Sequence, residues 1–507
     1  MGTFSIKAEA YSSSDTLEDE YETDVWVRYV RRELRGLDNA DRELFLGAMN
    51  TIFTMDCSKG ETKYGDSWQC IDKFTRMHAN LAGDPECDHM HDGYGFLTQH
   101  SALSMWFELS LQAVDASVSL PYWDYTIDEK AVDEALGDYH VWRKSEIFTE
   151  AWFGEANTDV SDGGIVKTSR FGYTPVRLNA NNFSSFNNAY GMMRAPWNNN
   201  RVPYVTRSNT SYGFDLTDMP GCASHYELLQ LANFSDFGKT VMYGPHGTTH
   251  LAIGGVWNAD WKSYMISWDM NIEQAQEWAI AGFAKQKNMF RAGWLTCPDY
   301  CSLDTPESDC KCACDDLDAV FSDDTLSERL NLLFFGEDWY YQSNTGEDLS
   351  HEIYTLMCNG YSDTFAVMGD SLETASPNDA SFWPTHPAVD RLLAWRRVNH
   401  FENEYWPDNA AWSVEGVDTG YCWGHNKEDV LTYTNLFPTN PGPYTNEELW
   451  GLLNPYNDTT PYVYDTFEWS HCVDEGYSID LLTRVGLPDS NVRDADPPAS
   501  EDPWKLV

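Results

Sequence analysis

Residues 91–111, HDGYGFLTQHSALSMWFELSL, combine a strong helical pattern with two histidines, His91 and His100. Apolar side chains recur every three or four positions, which predicts an amphipathic helix over residues 95–113. His100 lies on the apolar side of this helix, and His91 precedes it. Because a lone histidine on a packed helix face is usually a core residue, the pattern gains meaning only if other histidines accompany it.

Two further histidines stand four positions apart. His246 and His250 occur in YGPHGTTHLAIGG, and on a helix this spacing places both imidazoles on one face, which suits a shared metal ion. The pair is not a zinc-protease motif, because Gly247 stands where such a motif needs glutamate.

The remaining candidates complete a set of six. His78 lies in FTRMHANLAG, and His386 begins a helical pattern in NDASFWPTHPAVDRLLAW, where Asp379 is placed to cap or orient the helix. Six histidines without cysteine or carboxylate in their motifs predict two metal ions with imidazole ligands, which suit copper, zinc or iron. The other histidines considered are interpreted as packed or surface residues: His140, His225, His351, His400, His425 and His471.

Composition restricts the possible partners. The chain has 507 residues and a net charge of −47, so it repels nucleic acid and anionic membrane surfaces. Aromatic residues make up 14% of the chain, which is typical of a folded protein. No apolar stretch has the length of a membrane span. We therefore expect a globular protein that acts on a small molecule.

Five of the twelve cysteines cluster in residues 297–314, CPDYCSLDTPESDCKCAC. A metal cluster is one interpretation and a disulfide-stapled loop the other; the irregular spacing and the lack of histidine favour the disulfides. Disulfides predict secretion or another oxidising compartment. Because the first residues lack an apolar leader, we expect that a leader peptide is absent from this chain.

The pattern along the chain predicts one large domain over residues 23–465. Residues 1–22 are interpreted as an acidic tail and residues 466–507 as an acidic C-terminal extension. Residues 25–53 predict two helices separated near Gly36. Residues 130–240 are rich in Asn, Ser, Gly and Tyr and are expected to form long surface loops.

These motifs together resemble the tyrosinase family of type-3 copper proteins, which includes tyrosinases, catechol oxidases and molluscan haemocyanins. His91 and His100, followed by Phe107-Glu108, are similar to the family's first copper motif. His246, His250 and the NDASFWPTHPAVDR stretch are similar to its second. Further similar segments are VRRELRGLDNADRELFLGA, Leu120–Tyr125 (LPYWDY), Gly254-Gly255 and Tyr462-Val463-Tyr464.

The resemblance spans roughly residues 25–465 and implies a mainly α fold. It further implies a four-helix bundle that holds a dinuclear copper site, with O2 as co-substrate and a small phenol as substrate. Carried over position by position, the ligands of the first copper are His78, His91 and His100. Those of the second copper are His246, His250 and His386.

The chain departs from the family pattern at several positions. The family often has Arg where Ser101 stands, and Thr385 replaces the first histidine of a His-His pair. His89 competes with His91, but only His91 keeps the spacing to His100. Many members carry a Cys–His thioether, which leaves Cys87 open to a thioether or a disulfide.

One departure bears on the substrate. Family members that hydroxylate monophenols often have Asn where Gly247 stands, acting with a nearby Glu; here the nearest upstream acid is Asp236. The resemblance thus implies oxidation of o-diphenols to o-quinones with weak or no monophenol hydroxylation. Leu251 and Phe382 are expected to give the pocket apolar walls, and Asp379 and Asp236 to support it from outside.

Three alternatives remain open from the sequence. A haemocyanin-like oxygen carrier would use the same copper site with access closed to phenols. A latent proenzyme would have the site plugged, with the C-terminal extension as one candidate. A secreted glycan-binding or glycan-cleaving protein fits the aromatic and acidic composition but leaves the ordered histidine motifs unexplained.

Overall fold

The computed structural model describes residues 2–135, 141–182, 184, 186–215, 219–314, 342–359, 365–399, 406 and 421–479. Helices are α1 (Asn39–Thr54), α2 (Cys57–Tyr64), α3 (Ile71–Ala82), α4 (Gly95–Val114), α5 (Thr126–Glu134), α6 (Cys222–Gln230), α7 (Phe234–Val241), α8 (Thr248–Gly254), α9 (Trp261–Ser267), α10 (Ile272–Arg291), α11 (Ser350–Asn359), α12 (Phe382–Val398), α13 (Asn446–Leu452) and α14 (Ser470–Val473). The mainly α class is thus confirmed, whereas the four-helix bundle stays a prediction. Within these ranges, no helix has both the length and the apolar character to cross a bilayer.

The strands are few and mostly short. They are β1 (Gly2–Tyr11), β2 (Leu17–Val27), β3 (Tyr29–Arg31), β4 (Thr210–Ser211), β5 (Phe214–Asp215), β6 (Val256–Trp257), β7 (Leu295–Thr296), β8 (Ala313–Cys314), β9 (Val367–Met368) and β10 (Tyr462–Tyr464). Strands β1 and β2 form an antiparallel hairpin, β7 pairs antiparallel with β8, and β3 pairs parallel with β10. The largest sheet has the order β5-β4-β6-β9.

Helix α4 lies at the centre of the fold. It packs against α1, α12 and α13, and every residue from Gly95 to Met105 is buried. Phe107 stacks on Trp383 of α12 with ring centroids 3.6 Å apart. The helix predicted over residues 95–113 is therefore confirmed to within one residue, and its apolar face anchors the core.

The N-terminal predictions are wrong. Instead of an acidic tail over residues 1–22, the chain forms the exposed β1–β2 hairpin, and instead of a helix after residue 25 it continues in β2 and β3. Alternating Phe4, Ile6 and Ala8 pair with Val25, Thr23 and Tyr21, a period-two pattern of β-branched and aromatic residues that favours strands. Asp38 caps α1 with bonds from the amides of Ala40 and Asp41, so only the second predicted helix exists.

Residues 130–240, expected to form surface loops, include both exposed and buried positions in the part that the structure describes. Asn188, Asn198 and Asn200 are buried. The Asn198 amide donates to the Met368 carbonyl over 3.1 Å, and its oxygen accepts the Met368 amide over 3.1 Å. Here asparagine side chains make the hydrogen bonds to backbone amides and carbonyls that secondary structure would otherwise make. A polar composition therefore does not indicate exposure in this segment.

All twelve cysteines form disulfides. Cys297–Cys312, Cys301–Cys310 and Cys314–Cys358 staple the cysteine-rich loop, which confirms the disulfide interpretation. The remaining pairs are Cys57–Cys70, Cys87–Cys422 and Cys222–Cys472. Cys87, for which a thioether or a disulfide was expected, therefore forms a disulfide.

A buried ionic cluster joins strands β3 and β10 to the core. Arg31, fully buried in β3, donates to Glu108 of α4 over 2.7 Å and contacts Asp390 of α12 at 3.4 Å. Asp390 also accepts the hydroxyl protons of Tyr462 and Tyr464 in β10 over 2.8 and 2.5 Å. Each charge is compensated, so the cluster fixes two central helices to the parallel β3–β10 pair.

We predict that Glu108→Gln lowers the free energy of unfolding by about 3–5 kcal/mol, because it leaves Arg31 charged and buried without its main partner. Urea denaturation with intact disulfides measures this change. Glu43→Gln is the matched control, since Glu43 pairs with Arg170 at the surface and such pairs contribute less than about 1 kcal/mol. Equal losses in the two variants would contradict the prediction.

Candidate metal centre

The first group of histidines comes from α3, α4 and the loop between them. One ring nitrogen from each of His78, His91 and His100 lies within 4.8 Å of the other two. His78 and His100 are 1% and 3% exposed, whereas the His91 side chain is 20% exposed. The Nε2 atoms of His78 and His100 face each other at 3.3 Å. The structure thus brings together the three residues predicted for one metal ion.

The second group is built from two consecutive helical segments and α12. His246 lies in a π-helical segment, Met242–Gly247, that continues into α8, which carries His250. One ring nitrogen from each of His246, His250 and His386 lies within 4.8 Å of the others. The four-residue spacing therefore places two imidazoles on one face, as expected, and His386 approaches from α12.

The two triads form one site. The rings of His100 and His386 stack with centroids 4.4 Å apart and planes 12° from parallel. His91 and His246 face each other at 6.1 Å. Phe382 packs against His386, His78 and His250 with ring centroids 4.2, 5.6 and 5.8 Å away. Two ions held by these triads would be neighbours.

Backbone carbonyls orient four of the six rings. The Nδ1 atoms of His100 and His246 bond the carbonyls of Phe96 and Met242, each one turn earlier, over 2.8 and 3.1 Å. The Nδ1 of His78 bonds the Thr374 carbonyl over 2.6 Å, and that of His250 bonds the Ser371 carbonyl over 2.5 Å. An imidazole that donates through Nδ1 keeps its Nε2 lone pair for a metal ion.

The Nε2 atoms of the second triad are unsatisfied. Within the described part of the chain, Nε2 of His246 and of His250 and both ring nitrogens of His386 are buried without a hydrogen-bond partner. Buried polar atoms in this state are rare and costly. Three imidazoles per group, with no carboxylate or thiolate, form a donor set that fits copper. The residues present therefore suit the two ions that the sequence resemblance implies.

Burial keeps these histidines neutral. It lowers the pKa of His78 to about 3, helped by the neighbouring His91, and that of His250 to about 4. Burial, followed by the adjacent imidazoles, also holds the pKa values of His100, His246 and His386 well below 6.5. Near neutral pH the lone pairs are therefore available for metal binding.

His89, the competitor of His91, lies outside the triads. Its Nδ1 bonds the carbonyl of Trp423 over 2.9 Å. The Nδ1 of His91 instead contacts Oδ1 of Asp88 at 3.1 Å, and the same oxygen accepts the His91 amide over 2.7 Å. Sequence reasoning missed Asp88, although an acid three residues before a metal-ligating histidine is a recognisable signal.

One short segment serves both triads. Ser371 and Thr374, whose carbonyls hold His250 and His78, belong to residues 370–374, which we call the clamp segment. Asp370 begins it and forms a bidentate ion pair with Arg194, with both distances 2.8 Å. Both side chains are fully buried. The segment is thus anchored by a charge pair that a linear motif does not reveal.

A cavity opens beside the second triad. Gly247, a predicted pocket residue, lines it together with His91, His246 and His250. Its walls are largely apolar and include Ala82, Trp197, Met242, Phe283, Met368 and Leu372. Leu251 and Phe382 were expected to form cavity walls, but neither lines this cavity. Leu251 is 2% exposed and packs in the core, and the ring of Phe382 packs against the histidine rings.

The two predicted supporting acids differ in outcome. Asp379 pairs with Arg207 over 2.7 and 2.8 Å and accepts the Ser381 amide over 2.9 Å, so it supports the start of α12. Asp236 is exposed in α7 and bonds to Asn233, its own helix cap. Asp236 does not line the cavity, which corrects its expected place; the acids that do are Asp88, Asp92 and Glu373.

Comparison with known proteins agrees with this site. Residues 69–271 match the family model described as the common central domain of tyrosinase, a range that holds five of the six histidines but not His386. The resemblance predicted from the motifs is thus confirmed. Tyrosinase-like protein 2 of Margaritifera margaritifera is 28% identical over 134 residues, 26% of this chain and 25% of that protein. The tyrosinase of Streptomyces glaucescens is 41% identical over 63 residues, 12% of this chain and 23% of that protein.

The aligned part thus spans a quarter or less of the length of these relatives. Among solved structures, a polyphenol oxidase variant from Thermothelomyces thermophila is similar with a TM-score of 0.39 and 14% identity, covering 87% of this chain and 89% of that one. A tyrosinase from Burkholderia thailandensis has a TM-score of 0.36 at 14% identity, covering 91% and 78%.

We predict that Asp370→Asn weakens Zn2+ binding at both triads by about 10–100-fold, the usual effect of losing a group that orients metal ligands. The reason is that one segment holds a histidine of each triad. Calorimetric titration of the metal-free protein measures both affinities. Asp128→Asn is the matched control, because Asp128 is a buried partner of Arg35 without contact to the triads. Loss at one site only would contradict the clamp.

We further predict that the metal-free protein loses stability as pH falls from about 6.5 towards about 4. The unfolded chain protonates His250 near its ordinary pKa of 6.5, whereas the folded chain does so only near 4. In His250→Gln the slope of unfolding free energy against pH becomes shallower by up to about 1.4 kcal/mol per pH unit. Denaturation curves across this range measure both slopes, and parallel slopes would refute the assignment.

Proposed function

We propose that this chain, which carries the central domain of tyrosinase, is a dicopper oxidase that uses O2 to convert o-diphenols to o-quinones. The observation that supports it most directly is the pair of facing triads, in the second of which the Nε2 atoms of His246, His250 and His386 are buried without hydrogen-bond partners. Such a site costs free energy unless metal ions occupy it. We propose His78, His91 and His100 for one ion and His246, His250 and His386 for the other.

When bound, the two copper ions supply one-electron redox chemistry that allows O2 to accept electrons from an organic substrate. The protein supplies the surroundings. Neutral imidazoles held through Nδ1 keep the ions in place, and the apolar cavity walls receive an aromatic ring. Because the side chain of His91 is 20% exposed, solvent and small molecules reach the first triad.

The cavity favours o-diphenols in our proposal. Gly247 contributes no side chain to the cavity wall, so no amide is present there to orient a water molecule beside the substrate. A methyl group added at Gly247 would come within 3.2 Å of the Met242 carbonyl, which leaves little room for a larger residue without adjustment. We propose that monophenol hydroxylation is weak or absent. The six disulfides fit an oxidising compartment, and we propose secretion.

We predict that copper-loaded protein binds two copper ions per chain and forms quinone from 4-tert-butylcatechol in air, and much more slowly from 4-tert-butylphenol. His100→Ala and His250→Ala, one from each triad, each reduce the rate more than about 100-fold, since even an outer partner of a ligand is worth about 10–100-fold. His351→Ala, an exposed histidine on α11, retains the rate. Copper analysis and quinone absorbance provide the measurements.

Failure of this prediction has distinguishable forms. Two bound copper ions without quinone, unchanged by mild proteolysis, would indicate an oxygen carrier. Quinone formation that begins only after proteolysis would indicate a latent proenzyme. Copper binding below two ions per chain under saturating copper would overturn the assignment of the six histidines.

A further inference from the structure

Glu373 is a buried carboxyl group on the wall of the cavity. It is 7% exposed and lines the cavity together with His91, His246 and His250. Its Oε2 accepts the Ala195 amide over 2.6 Å and the Thr374 hydroxyl over 3.1 Å. Within the described residues its Oε1 is buried without a hydrogen-bond partner. One oxygen is therefore held by the protein, and the other has no partner of its own.

Several acids line the cavity, and among the described residues Glu373 differs from Asp88 and Asp92 in forming no salt bridge. Asp88 and Asp92 also line the cavity, and Lys287 lies 3.3 and 2.9 Å from their carboxylates. Asp88 is further committed to His91. Asp370 is paired with Arg194. Glu373 instead interacts with the backbone amides of Ala195 and Ala375 and with the Thr374 hydroxyl, and forms no salt bridge with nearby Arg194, which suits it to exchange a proton rather than to hold a charge.

The surroundings of Glu373 set its proton affinity. Burial, followed by the charge of nearby Asp370, raises the pKa of Glu373 to about 8. A carboxyl group that titrates near working pH is suited to take up and release a proton in each cycle. The hydrogen bond from the Ala195 amide and the positive charge of Arg194 oppose this rise in pKa.

We infer that Glu373 accepts a phenolic proton from the bound o-diphenol at Oε1 and passes it on towards the water that O2 becomes. This role rests on the proposed function and names a catalytic residue for it. Glu373 comes from a different segment than Asp236, the acid expected from the sequence. The ring lies against the apolar walls, and one phenolic oxygen faces Glu373.

The proton and electron balance supports a returning carrier. Each o-diphenol loses two electrons and two protons on becoming an o-quinone. One O2 takes four electrons and four protons from two diphenols and leaves as two water molecules. Glu373 gains and loses one proton and is unchanged after the cycle, so no further reactant is required.

Zinc-loaded protein separates proton transfer from oxidation, because Zn2+ binds imidazole and has no redox chemistry. We predict that catechol binding at about pH 9, above the pKa of Glu373, releases about one proton fewer per site in wild type than in Glu373→Gln. In wild type the carboxylate retains the proton, whereas the amide cannot. Calorimetry in two buffers of different ionisation enthalpy counts the released protons.

In the copper-loaded protein, Glu373→Gln lowers kcat about 100-fold, a typical contribution of a positioned acid-base group, and leaves KM for the diphenol nearly unchanged. The rise of the rate with pH that reflects the carboxyl group disappears. Glu227→Gln is the control, because Glu227 is exposed on α6. Thermal melting and zinc stoichiometry establish that both variants fold and bind metal.

The outcomes separate the two proposals. Equal proton release in wild type and Glu373→Gln, or an unchanged kcat and pH profile, would overturn the role of Glu373 while the oxidase proposal stands. A difference of one proton together with quinone formation by wild type supports both. If zinc-loaded wild type and variant bind no catechol, the cavity is not a phenol site, and both proposals fail.

Discussion

The metal centre depends on the buried ion pair between Arg194 and Asp370. This pair fixes the clamp segment, residues 370–374, whose carbonyls at Ser371 and Thr374 receive the Nδ1 protons of one histidine from each triad. The same segment carries Glu373 into the cavity. Because a buried charge without its partner costs several kcal/mol, the pair holds these three functions in one rigid unit. The two proposed metal positions and the proposed proton carrier thereby share a single support.

A second constraint concerns the ring nitrogen that each packed imidazole presents to the site. Burial and mutual proximity disfavour protonation of five histidines, namely His78, His100, His246, His250 and His386, and the fold determines which of their nitrogens points at the site. Helices solve this for His100 and His246 by using a carbonyl one turn earlier. The clamp segment solves it for His78 and His250. The cost of the remaining buried nitrogens is offset only when a metal ion binds them.

Local spacing could predict much of this, because it acts within one helix. The helix over residues 95–113 and the pairing of His246 with His250 follow from a period of 3.6 residues. Long-range features could not be predicted in this way. Nothing in the surroundings of Arg194 indicates its partner 176 positions away, and buried asparagines resemble surface loops in composition. The hairpin over residues 2–27 was missed because charged residues hid its period of two.

Electrostatics connects the two proposals. Imidazole ligands alone would leave the charge of the two proposed copper ions uncompensated, and Asp370, Asp88 and Asp92 are already paired with arginine or lysine. In a buried site of low dielectric constant, such an excess of positive charge favours anions. In our proposal the two anions available in this cavity are the deprotonated o-diphenol and the ionised glutamate. In our proposal, bound copper ions would favour ionisation of Glu373, whereas burial and the charge of Asp370 raise its pKa.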